Sequence, residues 1–81
     1  MKEQVKAVLE MLTKEQVQQI RDTDKGYVLF NVSVFNAVAV VDVEFYDDID
    51  GDSDEFLDNY GPFSFYLESC DAIHCLDKLH L

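Results

Sequence analysis

Nine carboxylates fall between positions 42 and 58, and no lysine or arginine occurs between Lys25 and Lys78. The acids are Asp42, Glu44, Asp47, Asp48, Asp50, Asp52, Asp54, Glu55 and Asp58, with Tyr46 and Tyr60 beside them. Carboxylates this concentrated suit three kinds of chemistry: pairing with the lysines and arginines of a basic surface, holding a hard cation, or acid–base catalysis. On an extended strand alternate residues lie roughly 6.7 Å apart on one face. Asp42, Glu44 and, past Tyr46, Asp48 therefore read as a row of negative charge with phosphate-like spacing. Two unit charges ~6.7 Å apart repel in water by about 0.6 kcal/mol, and roughly half of that survives physiological salt. A run of them draws on the thin stability margin of a small domain. Solvation of the surface is the plain alternative reading.

The cation reading meets an obstacle in the spacing. Asp48, Asp50, Asp52 and Asp54 alternate around Gly51. An EF-hand loop opening at Asp50 needs glycine at its sixth position and glutamate at its twelfth, where this chain has Glu55 and Gly61. Opening at Asp48 puts Ser53 and Asn59 there. Only a carboxylate site of another kind stays open, so no metal or cofactor is expected. Cys70, His74, Cys75 and His80 form a C-x₄-C cluster with a histidine directly beside the second cysteine. Zinc sites use closer cysteine pairs in two sets, and buried small thiols explain these residues as well. Catalysis is the weakest reading. No phosphate-binding glycine loop, nucleophile elbow or HExxH motif is present, and exposed loop acids do not make an acid–base pair. The chain reads as a non-enzyme. Tyr46, Tyr60 and Tyr66 suit an interface, because an outward tyrosine adds apolar contact area at low entropic cost.

The chain's composition narrows the classes of partner. Its 81 residues carry 6 basic and 17 acidic side chains, a net charge of −11, with 48% hydrophobic residues. That charge excludes nucleic acid and anionic membranes as direct partners, since both need a basic surface. It favours a basic protein surface. The imbalance is confined to one part of the chain: five acids meet five bases up to Gly26, and twelve acids meet one base beyond it. One domain fits this length. The apolar content is high enough to suggest a homodimer as a route to further stability. Two cysteines near one end make a poor disulfide framework. No run is long enough to span a membrane and no basic-then-apolar leader opens the chain. A cytoplasmic protein with reduced thiols is expected, in the host cytoplasm if the source is a phage.

The elements that must hold the acids follow from periodicity. Residues 1–25 read as helix, with Val5, Val8, Leu9 and Leu12 on one stripe. Thr13 to Gln16 fits a capping box, with Leu12 and Val17 as a hydrophobic staple. This favours a break at Thr13 and a second helix over about Lys14 to Thr23, with Val17 and Ile20 inward; one bent helix is the alternative. Gly26 reads as the left-handed stop. Strands are expected at about 27–35 and 38–46 around an Asn36-Ala37 turn, with Val41, Val43 and Phe45 inward and Asp42, Glu44 and Tyr46 outward; one long strand with a bulge at Asn36 is the alternative. The stretch Ala37 to Val41 is apolar on both faces, so it is either covered on both sides or paired with another chain. An acidic loop spans 47–62. A third strand is expected at 63–68, with Phe63, Phe65 and Leu67 inward, antiparallel to the second strand. A C-terminal helix runs over 71–80, with Ser69 a competing cap.

The expected architecture is α+β: a three-stranded antiparallel sheet with its helices on one face and the other face at least partly exposed. By charge and size the chain resembles the class of small nucleic-acid mimics, acidic proteins that occupy the DNA- or RNA-binding groove of an enzyme, as phage-type inhibitors of restriction, CRISPR or repair enzymes do. The class has no common fold, so the resemblance implies a mechanism and no target. Asp42, Glu44, Asp47, Asp48, Asp50, Asp52, Asp54, Glu55 and Asp58 would then pair with basic side chains, with Tyr46 and Tyr60 packed beside them. Two other classes compete with this one. A structural, adaptor or immunity-type module would use the apolar sheet edge, and a calcium-responsive domain would use the acidic loop.

Overall fold

The computed structural model describes residues 2–49 and 60–81. Helix α1 covers Glu3–Glu10 and helix α2 covers Lys14–Asp22. The break between them lies where the capping box requires it. The Gln16 amide donates to Thr13 Oγ at 3.1 Å, and the Thr13 amide donates to Gln16 Oε1 at 2.9 Å. Two amides that the first turn would leave unpaired are satisfied by one pair of side chains. Val8 and Leu9 of α1 and Ile20 of α2 are buried, with Val5, Leu12 and Val17 packed around them.

Strands β1 (Tyr27–Phe35) and β2 (Val38–Tyr46) form a hairpin whose register runs from Tyr27 opposite Tyr46 to Phe35 opposite Val38. Asn36 and Ala37 both have positive φ, 51° and 63°. This two-residue geometry matches the right-handed twist of the flanking strands. Gly26 also has positive φ, but α2 ends at Asp22, with Thr23 as its C-cap. Gly26 thus turns the chain into β1 and does not stop the helix. A Cβ there would lie 2.3 Å from the Tyr46 carbonyl oxygen, so only glycine fits.

Strand β3 covers Phe65–Glu68. It pairs antiparallel with β1, giving the order β2-β1-β3, so it does not lie beside the second strand as expected. Alternation sets which face a side chain takes and says nothing of which neighbour the strand chooses. Phe63 is also outside the strand. The Ser64 amide closes a turn on the Gly61 carbonyl at 3.0 Å, and Phe63 is left 50% exposed. Helix α3 follows β3 without a loop, over Ser69–Lys78. Ser69 is its first residue and not its cap. Its hydroxyl donates to the Lys25 carbonyl at 2.8 Å and its amide to the Gly26 carbonyl at 2.9 Å, so it ties α3 to the start of β1.

The three described helices cover one face of the sheet. Val28, Phe30, Val32 and Val41 meet Val8, Leu9, Ile20, Ala72 and Leu76 in a single core, with Val43, Phe45, Phe65 and Leu67 at its margin. Phe30 and Phe65 stack with ring centroids 5.0 Å apart. Arg21 clamps the outer layer, reaching Asp77 of α3 at 2.8 Å and the Leu81 carbonyl at 2.7 Å. The architecture is α+β, as the periodicities require.

Candidate functional site

The face of the sheet away from the helices carries the outward residues of all three strands. Alternation and register arrange them in rows across it. Tyr46, Tyr27 and Glu68 make one row, and Glu44, Leu29 and Tyr66 the next. Asp42 then lies opposite Asn31, Val40 opposite Ser33, and Val38 opposite Phe35. One end of the face is aromatic and acidic, and the hairpin tip is apolar.

The aromatic end is ordered by hydroxyl contacts and ring packing. The Tyr46 and Tyr60 hydroxyls lie 2.9 Å apart, and Tyr46 makes a long 3.5 Å contact to Glu44 Oε1. Tyr27 and Tyr66 meet edge to face with centroids 5.9 Å apart. The Tyr46 phenol is pushed up to about 12, first by the hydrogen bond with Tyr60, then by burial, then by the Glu44 carboxylate. Each of these disfavours phenolate. Leu29 is fully buried although it points away from the helices. It lies in the register row between Glu44 and Tyr66, where alternation alone would leave it outward and exposed.

Asp42 is exposed and Glu44 half-buried, both on the outward face of β2 as expected. The strand ends at Tyr46, so exposed Asp47 and Asp48 follow it without continuing its repeat. The Asp48 carboxylate accepts from the Ile49 amide at 2.8 Å. Asp50, Asp52, Asp54, Glu55 and Asp58 lie outside the described residues. Sequence reasoning missed Glu68 as part of this site. Its outward direction was legible, but its place in the Tyr46–Tyr27 row depends on β3 lying beside β1. Ser64 was missed as well. It accepts from the Val32 amide at 2.9 Å and donates to Asn31 Oδ1 at 3.3 Å, which fixes the segment ahead of β3 against the same face.

Among the described residues no group of three histidine, cysteine or acidic side chains gathers closely enough to hold a metal ion. Cys70 is exposed and Cys75 half-buried, and both are free thiols. A groove of about 400 Å³ lies on the helix side of the sheet between Val5, Phe65, Leu67 and Cys75, with Lys2 at its edge. It brings no acid–base pair together. No helix among the described residues is long and apolar enough to cross a membrane. Compared with known proteins, the chain matches no family model, no curated protein and no solved structure.

Proposed function

We propose that this chain is a small acidic binding protein, not an enzyme, that mimics nucleic acid and inhibits a nucleic-acid-binding enzyme or protein, in the manner of phage-type anti-restriction, anti-CRISPR or repair inhibitors. The supporting observation is the placement of Asp42 and Glu44 on the helix-free face of a strand, running into Asp47 and Asp48 beside Tyr46 and Tyr60, in a stretch without a single Lys or Arg. A strand held by nine register pairs to its neighbour presents carboxylates at a fixed spacing. A basic groove meets them without first ordering them, which lowers the cost of association. Glu68, across the sheet, widens the same negative face. The partner is a basic protein surface in the cytoplasm, and nucleic acid competes with this chain for it.

The experiment is capture from a host lysate at low and high salt, followed by elution with duplex DNA or RNA. Captured proteins should release in salt and in nucleic acid. The Asp42→Asn, Asp47→Asn, Asp48→Asn variant should capture them at least about tenfold more weakly, as the loss of several charge pairs implies. Capture that resists both elutions, or that this variant retains in full, rejects the mimic. The exposed apolar tip favours a second reading, an adaptor or immunity-type module, for which capture is insensitive to salt and lost on Val38→Lys.

A further inference from the structure

Among the described residues, the hairpin tip is exposed on both faces of the sheet over 33–40. Val34 is 56% exposed, Phe35 74%, Val38 61% and Val40 49%. Residues 26–41 contain no charged side chain. Among the described residues β2 is also an edge strand. With a two-residue turn, Phe35 and Val38 form a hydrogen-bonded pair, and such pairs alternate along the ladder. Ala39, Val41, Val43 and Phe45 therefore turn their amides and carbonyls toward the open edge. The Val41 carbonyl is already taken by Gln16 Nε2 at 3.0 Å, so the open edge at the tip begins at Ala39. The hairpin's other edge is closed at Val32. There Ser64 Oγ accepts from the amide, and Gly61 packs so close to the carbonyl that a Cβ would lie 2.7 Å from it.

From this we infer that the chain self-associates through the tip of β2, two copies pairing antiparallel about a two-fold axis at Ala39. The charge pattern selects both the partner and the register. A basic protein laid on the tip would bury its cations against apolar side chains without counter-charge, whereas a second copy brings an equally neutral tip. With the axis at Ala39, Val38 of each copy lies opposite Val40 of the other, and Asp42 lies opposite Asn36. The two Asp42 residues are then about 20 Å apart along the strands, beyond the screening length of about 8–10 Å at physiological salt. An axis at Val43 would set Asp42 against Glu44 of the second copy. In this register Val41, whose carbonyl Gln16 holds, falls opposite Ala37 in the turn of the other copy, so the ladder between copies is the Ala39 pair alone. The largest apolar patch on a typical monomer is about 300–600 Å². Two such patches fall short of, or barely reach, the ~1,200 Å² of a stable interface, so the dimer is weak and concentration-dependent.

The test is sedimentation equilibrium of the full chain with reductant present, which removes any contribution from the Cys70 thiol. Concentrations run from about 10 μM to about 1 mM, in about 50 mM and about 500 mM NaCl. The weight-average mass should climb from that of one chain toward twice it, and dimerisation should tighten several-fold in the higher salt, because salt screens the repulsion between two acidic chains. Ala39→Pro removes the outward amide and should weaken the dimer at least about tenfold; proline is tolerated at an edge. Val40→Lys should do the same, and decides the matter if the proline variant does not fold. A chain that stays monomeric throughout overturns the inference and leaves the tip to a partner of other sequence. A dimer that survives both substitutions in folded protein, or that loosens in salt, also overturns it. No basic partner enters the measurement, so its outcome does not depend on the proposed nucleic-acid mimicry.

Discussion

Tyr46 sits where the chain's two chemistries meet. Its ring shares a register row with Tyr27, and its hydroxyl lies between Tyr60 and Glu44. The phenol's pKa is raised to about 12, above its ordinary value of 10.0, so folding favours the protonated form. The resulting stabilisation is complete below pH 10 and is lost as the pH rises through 12. A tyrosinate absorbance titration should show one of the four tyrosines ionising late, near pH 12, and Tyr46→Phe should remove that step. Melts from pH 8 upward should show the wild type losing stability relative to Tyr46→Phe only above about pH 10. A late step that persists in Tyr46→Phe would place the shifted phenol elsewhere.

At the scale of the element, the hairpin is the part most fully written in the sequence. Alternation at the two ends of Tyr27 to Tyr46, with Asn36-Ala37 as the turn candidate between, outlines both strands, and the structure keeps those bounds. The Thr13 break was equally legible, because a capping box is a local pattern read by local hydrogen bonds. The partner of β3 was not legible, since strand order is decided by long-range packing, and so Glu68 was left out of the acidic face. The burial of Leu29 and the tie from Ser69 to Lys25 were hidden for the same reason. One local conflict remains in the hairpin. Ala37 has φ 63°, a conformation that costs a residue with a Cβ about 1–2 kcal/mol. Ala37→Gly removes that strain and gives back part of the gain through the freer unfolded chain. A net stabilisation of about 0.5–1 kcal/mol is expected in urea melts. Destabilisation would mean that the Ala37 methyl packs usefully at the tip.

Over the whole molecule, charge is segregated where hydrophobicity is not. The helical layer is balanced in charge up to Gly26, while the far side of the sheet and the segment after it hold most of the excess behind the net −11. Three exposed members of that excess, Asp42, Asp47 and Asp48, have no cation near them in sequence. Self-repulsion of this kind destabilises a compact state and is relieved by screening. Melting temperature should therefore rise from about 50 mM to about 500 mM NaCl. The Asp42→Asn, Asp47→Asn, Asp48→Asn variant should melt a few degrees above wild type in the low salt, a readable shift for a domain this small. The gap should close in the high salt. The same variant is the one expected to lose a basic partner, so stability and binding move in opposite directions, as they do where side chains are kept for function at the expense of the fold. If the variant instead melts lower than wild type, the acids support the fold, and their crowding on one face needs no partner to explain it.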